Sequence, residues 1–285
     1  MSKFPYKRII SYGCSFTAGA EITDHDFIGI TEEELATCAR RNGYTGSREL
    51  YEHFSVDEDT RRKILESNRE KSWPNYIAQR YNIPLLNQAI PGSSLSHASY
   101  CILRDIHSNV VQPTDLILVG ITSPNRWFQF TETGRPFFGV FNRGWNLLKH
   151  SPISKTYRLE LERNWFNMYN TIYTHHKEIL FLSNLSDKMN GQIKLCYALA
   201  TPKEMFSRVA SSYTSEQDLE FFDLCDKIIP NNNFLYAEKS MSDLTRSIDD
   251  TTAIDAIHMF GHPRVEYHKK FANILIEKLE EMYND

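Results

Sequence analysis

The chain has little cysteine, and what it has is not arranged for bonding. Its five Cys, at positions 14, 38, 101, 196 and 225, are odd in number, widely spaced and without a C-x-x-C pair. That pattern argues against a disulfide framework or a cysteine zinc site. Reduced thiols in a cytosolic compartment fit it. No apolar run approaches a membrane span, and the N-terminus MSKFPYKRIISYG enters a strand without the apolar region and small-residue cleavage site of a signal peptide. A soluble, cytoplasmic protein is expected. Positive charge is not in excess either: 32 Lys and Arg against 36 Asp and Glu leave a net charge of −4. Nucleic acid and anionic membrane are therefore not expected partners. Low-complexity segments and internal repeats are also missing. With 285 residues, the chain can bury one large core, so a single domain over 1–285 is expected.

What is there begins with RIISYGCSFTAG, residues 8–19. The apolar run Ile9-Ile10-Ser11-Tyr12 stops at Gly13 and breaks into the small, polar turn Gly13-Cys14-Ser15. A buried strand ending in a glycine turn is where α/β folds present reactive groups, because the sheet holds the backbone and the loop leaves the side chain free. Ser15 is the first candidate nucleophile. The alternative is that Ser15 only caps the following helix. Cys14, its neighbour on an extended turn, should point the other way, into the sheet.

Further along, residues 31–72 are charged, helix-favouring and poor in large apolar residues, so they cannot supply a core strand. They read as a helical insertion, a lid or partner-binding arm or simply a solvated face. Ser72-Trp73-Pro74 carries helix-start signals and predicts a helix over 73–81, followed by a short strand at 83–87. Pro91-Gly92 is a turn, and Ser93 or Ser94 starts a helix expected to run to about Val111. Residues 115–121, DLILVGI, form a continuous apolar run, as in a strand covered on both faces. Strands that end in Gly-containing or polar turns, with helical patterns between them, make a βαβ series with a parallel sheet, its loops gathered at the strands' carboxyl ends. Residues 130–154 read as a long irregular loop insertion. A helix over about 155–185, a strand over 192–199, helical pattern over 203–227 and a short strand over 233–237 follow. The chain closes with an amphipathic helix over about 264–283, its buried stripe being Val265, Phe271, Ile274, Leu275, Leu279 and Met282.

Just before that helix stands DAIHMFGHP, residues 255–263. An Asp and two His in a loop opening a helix can supply the base and the orienting carboxylate that a serine nucleophile needs. The G-x-S-x-G elbow of α/β-hydrolases is absent, since Thr17 stands at its second Gly.

On these residues the chain resembles the SGNH, or GDSL-like, hydrolase superfamily. That family carries a Gly-x-Ser turn after its first strand, then N-x-G-x-x-G, G-x-N-D and D-x-x-H-P blocks. Gly13-Cys14-Ser15 matches the first with Cys for Asp, and Asn87-Gln88-Ala89-Ile90-Pro91-Gly92 matches the second with Ala for its first Gly. In the third, Gly120-Ile121-Thr122-Ser123, Thr122 stands where the family has its oxyanion-binding Asn. The last block fits in two registers: Asp255-x-x-His258, followed by Met259 rather than Pro, or His262-Pro263 with Asp255 reaching from further back. The first block and PGSS are most similar to a divergent branch of the family common among phage proteins. The resemblance implies a flavodoxin-like three-layer α/β/α fold with a parallel sheet of about five strands. It further implies Ser15 as nucleophile, His262 or alternatively His258 as base, and Asp255 as orienting acid. The Ser15 and Gly92 amides would bind the oxyanion, with Thr122 or Asn125 as a further donor. The chemistry is acyl transfer from an ester to water, without metal or organic cofactor, on a small-molecule or carbohydrate ester. The aromatic residues of 127–145 weakly favour a sugar O-acetyl group, through stacking.

Two rivals remain. A phosphate loop at 13–19 lacks its Lys, since Ala20 follows Gly19. A non-catalytic scaffold of the same fold, binding a glycan or protein partner, is consistent with the Thr at 122. His175-His176 are too close in sequence, and too poorly supplied with nearby acids or Cys, to suggest a metal site.

Overall fold

The computed structural model describes residues 4–20, 22–43, 47–122, 126–130, 136–140, 168–199, 201, 220, 223–224, 227, 231–241, 244 and 262–283. Five strands, β1 (Arg8–Tyr12), β2 (Leu85–Asn87), β3 (Asp115–Ile121), β6 (Ile193–Tyr197) and β7 (Phe234–Tyr236), form one sheet in the order β2-β1-β3-β6-β7. All its pairings are parallel. This is the flavodoxin-like order, in which the chain winds first to one side of β1 and then to the other.

Alternation along the strands divides the core between two faces. Ile9, Leu116, Leu118 and Cys196 meet Trp73, Ile77, Phe271, Leu275 and Leu279, from α6 (Trp73–Tyr81) and the C-terminal helix α9 (Val265–Tyr283). On the other face, Ile10, Tyr12, Ile117, Val119 and Leu195 meet Leu95, Ala98 and Ile102 of α7 (Leu95–His107) and Ile179 and Leu182 of α8 (Met168–Lys188). The result is a three-layer α/β/α arrangement around a parallel sheet: the sheet is the one that the strand and helix patterns predict, and the layering is the one that the resemblance implies. Every residue of β3 is buried.

Several boundaries differ from expectation. Helix α7 stops at His107, not near Val111, because Asn109 takes a left-handed conformation with φ 56°. Ser72 occupies the N-cap position of α6, but its hydroxyl donates back to the Arg69 carbonyl at 2.6 Å. The orphan Trp73 N–H is instead taken at 3.2 Å by Nδ1 of the fully buried His268 on α9. In α9, Met282 is exposed and Val265 and Ile274 are half-buried; the buried stripe is His268, Phe271, Ala272, Leu275, Ile276 and Leu279. The 130–154 stretch is not wholly irregular: β5 (Pro136–Val140) pairs antiparallel with β4 (Arg126–Phe130). The rest of that stretch, residues 155–167 and most of 203–227 lie outside the described residues.

The charged 31–72 stretch is helical, with α3 (Glu32–Asn42), α4 (Ser47–His53) and α5 (Glu58–Glu70). It carries a small apolar cluster of its own, Leu35, Ala39 and Leu50. A buried polar knot ties it to the N-terminus of the short helix α2 (Asp24–Ile28). Asn68 Oδ1 accepts from Thr23 N and Oγ1 at 2.7 and 2.8 Å, its Nδ2 donates to Asp24 Oδ1 at 2.8 Å, and Tyr51 Oη donates to Asp24 Oδ2 at 2.7 Å.

Helix α8 buries His175, whose Nε2 has no hydrogen-bond partner among the described residues. Burial, with His176 beside it, pushes its imidazole down to about 3. Unfolded, the ring titrates near 6.5. Between those values the unfolded chain binds the extra proton, so stability is full above about pH 6.5 and falls as the pH drops towards 3. The loss is expected to reach about 2 kcal/mol by about pH 5. Urea unfolding near neutrality and near pH 5 should show a flatter pH dependence for His175→Gln than for wild type. Identical slopes would rule out His175 as the source.

Candidate functional site

In a sheet of this order the crevice opens at the carboxyl ends of the two strands where winding reverses, here β1 and β3. Tyr12 pairs with Val119, so the residues that follow, Gly13 and Gly120, come side by side there. Neither position has room for a side chain. A Cβ on Gly120 would meet Thr17 Oγ1 and stand 3.0 Å from Ala198 Cβ, and one on Gly13 would stand 2.7 Å from the Gly120 carbonyl. The paired glycines let the short helix α1 (Ser15–Ala18) lie directly over the sheet's end.

Cys14, extended at φ −98° and ψ −162°, holds the N-cap position of α1 and is fully buried in the core. Its orientation is the one expected of a nucleophile's neighbour. Ser15 is the first helical residue rather than the cap, so the capping reading of Ser15 is set aside. Its backbone N–H is among the first-turn amides that have no intrahelical acceptor. The C-terminal end of α1 is held as closely. Gly19 closes it at φ 75°, where a Cβ would come within 2.5 Å of the Asn68 carbonyl.

The second block crosses beside this turn. Ile90 N donates to the Gly13 carbonyl at 3.0 Å, and Gln88 N donates to the Ser11 carbonyl at 2.8 Å. Asn87 Nδ2 reaches the Thr17 carbonyl at 3.2 Å, fastening α1 to the end of β2. Residues 90–93 form a tight turn closed by Ser93 N donating to the Ile90 carbonyl at 3.0 Å, with Gly92 at φ 83°. Pro at the second position and a left-handed Gly at the third are the signature of a type II turn. The turn's own hydrogen bond does not use the Gly92 N–H.

From β3, Thr122 follows Ile121 and is 1% exposed, and its Oγ1 has no hydrogen-bond partner among the described residues. A buried hydroxyl left unpaired is costly and is available to an incoming acceptor. The other end of the chain reaches the same place: the His262 ring lies 5.3 Å from the ring of Phe16, the residue after Ser15. Arg264, two residues on, pairs with Glu32 of α3 at 3.2 Å, so the charged helices touch this loop too. Asp255, His258 and Asn125 lie outside the described residues. Of the expected residues, the structure thus gathers Ser15, Gly92, Thr122 and His262 around the ends of β1 and β3. Sequence reasoning missed Phe16, the platform for His262, and the packing of Thr17 over the two glycines. Both are ordinary core residues by sequence. Among the described residues no group of three or more His, Cys, Asp or Glu is placed to hold a metal ion, and no helix is long and apolar enough to cross a membrane.

No model of a known protein family matches the chain, and no curated protein matches it. Solved structures of similar outline include the esterase EstA from Pseudoalteromonas sp., 9% identical with a TM-score of 0.42, covering 98% of this chain and 100% of that one. A member of the lipolytic protein G-D-S-L family from Veillonella parvula is 13% identical, with a TM-score of 0.41 and coverage of 97% and 98%. The acetyl xylan esterase AlAXEase is 10% identical, with a TM-score of 0.40 and coverage of 95% and 98%. These are likenesses of outline at low identity, and the fold of this chain rests on its own strand order and layers.

Proposed function

We propose that the chain is a serine hydrolase of the SGNH type, of the divergent branch that its first block resembles, cleaving an ester through an acyl-enzyme. The observation that carries the reading is the packing of His262 on Phe16 at 5.3 Å. A histidine from the C-terminal block stands against the helix that Ser15 heads, at the carboxyl edge of the sheet. In the mechanism, neutral His262 takes the Ser15 hydroxyl proton as Oγ attacks the ester carbonyl carbon. The negative charge moves to the carbonyl oxygen, where the Ser15 and Gly92 amides and the Thr122 or Asn125 side chain donate to it. Each such donor is worth on the order of 3 kcal/mol in the transition state. The tetrahedral intermediate expels the alkoxide, which takes the proton from His262, and a water activated by the same base releases the acid. Asp255 orients the imidazole. The substrate is a small-molecule or carbohydrate ester, an O-acetyl sugar among them, and no cofactor takes part. The chain folds as one domain over 1–285, with the 31–72 helices as an insertion.

A fluorophosphonate probe tests this directly. Wild type should be labelled, with the adduct located by mass spectrometry on the peptide containing Ser15. Labelling should be lost in His262→Ala and kept in His258→Ala; the opposite result would move the base to His258. Folded wild type that takes no label would sink the hydrolase reading in favour of a scaffold that binds a glycan or protein.

A further inference from the structure

Behind the Pro91-Gly92 turn runs a buried polar chain that the mechanism above does not use. Ser93 and His97 are 2% and 3% exposed. Ser93 Oγ lies 2.8 Å from His97 Nδ1, and His97 Nε2 lies 3.6 Å from Cys101 Sγ. The two neighbouring serines divide the work. Ser94 caps α7, its Oγ accepting from His97 N at 3.1 Å. Ser93 stands outside the helix and is held by the imidazole one turn further in.

That ring is a firm anchor. Burial pushes its pKa below the ordinary histidine value, and Arg104 acts in the same direction, so it is neutral at neutral pH. A neutral imidazole has one donor and one acceptor, and here each nitrogen has a neighbour within reach. The helix that carries it is itself packed on the sheet through Leu95, Ala98 and Ile102. The turn is therefore fastened at both ends, by Ile90 N to the Gly13 carbonyl at one and by Ser93 to His97 at the other.

The second fastening matters because of what a type II turn can become. Type I and type II turns differ chiefly by a flip of the central peptide, here the Pro91 carbonyl and the Gly92 N–H. Pro91 and Gly92 favour the type II form, but glycine tolerates the type I form as well, so the local preference alone does not lock the turn. Only one aims the Gly92 N–H in the direction seen here.

We infer that His97 is a positioning residue: through Ser93 it holds the Pro91-Gly92 peptide in the type II orientation, and so presents the Gly92 amide as an oxyanion donor. The inference rests on the serine-hydrolase reading for its catalytic consequence, though not for the link between His97 and the turn.

The test compares wild type with Ser93→Ala, His97→Ala, their double variant and His97→Asn, whose side-chain amide can take the place of Nδ1. Two readouts are followed, turnover of p-nitrophenyl acetate and the Gly92 amide cross-peak in a ¹⁵N–¹H spectrum. Each alanine variant should lose about tenfold in kcat with KM little changed, as misplacing one donor does. The double variant should be no worse than either single, because both remove the same link. His97→Asn should recover most of the loss, and the Gly92 cross-peak should move in the alanine variants and return in His97→Asn. Unchanged kcat in folded Ser93→Ala, or losses that multiply in the double variant, would overturn the inference. If wild type itself neither turns over nor takes label, the hydrolase reading fails, and the Gly92 cross-peak decides the link alone: unmoved by Ser93→Ala, the link fails too. Should His97→Ala not fold, Ser93→Ala and His97→Asn carry the same comparison.

Discussion

Ser15→Ala is expected to remain folded while kcat/KM for a small ester falls by on the order of 10³ or more, the usual scale for losing a covalent nucleophile. The two halves of that expectation have separate causes. Ser15 makes no side-chain hydrogen bond among the described residues, and it occupies a helical position that alanine fills well. Its removal should therefore shift stability by no more than about 1 kcal/mol. Chemistry, by contrast, loses the nucleophile of the proposed mechanism. Urea unfolding measured beside ester hydrolysis separates the two. A variant that retains most of its turnover would exclude Ser15, whatever the quality of the motif. One that loses both fold and activity would return Ser15 to a structural role.

A comparable loss, this time of stability, is expected from Gly13→Ala. At φ 150° the backbone is in a region that side chains avoid, and the added Cβ would stand 2.7 Å from the Gly120 carbonyl and 2.9 Å from Thr17 Cβ. The carbonyl belongs to the sheet and cannot rotate away, so α1 must lift off the strand ends. Strain and overpacking together should cost on the order of 4 kcal/mol. Gly29→Ala is the matched control. Gly29 is also left-handed, at φ 79°, but a Cβ there would meet nothing within 4 Å, so only the conformational cost of about 1 kcal/mol applies. If the two variants unfold at the same urea concentration, the close approach of α1 to the sheet is not what Gly13 secures. Any Gly13→Ala protein that does fold should also turn over poorly, because Ser15 rides on the displaced helix.

Much of this architecture is legible in the residues. The run at 115–121 reads as a doubly covered strand, and β3 is buried along its whole length. Trp73 to Tyr81 forms the helix that its start signals and spacing predict. Ser15 and the C-terminal histidine block stand out as candidates from motif types alone, before any distance is known. Where local rules mislead, a specific contact outbids them. Ser72 has the right residue type to cap α6, yet its hydroxyl turns back to the Arg69 carbonyl, and the Trp73 amide beside it is satisfied by His268 from α9, a partner no local window contains. Arg126–Phe130 and Pro136–Val140 pair as a hairpin, although their Gly, Pro and aromatic content reads as loop. Ser93 and Ser94 look interchangeable in sequence, but one caps the helix backbone and the other is held by the His97 ring.

By itself, then, the sequence determined the kinds of element, their order and the chemical types available at the strand ends, because hydrophobic period, turn residues and catalytic side chains are local properties of the chain. Tertiary structure alone decided which of those residues meet. It brought Gly13 against Gly120, set His262 on Phe16, and fastened the Gly92 turn to the end of β1 through Ile90 N and the Gly13 carbonyl. Each of these depends on distances between segments far apart in sequence, which packing imposes only after the sheet has formed.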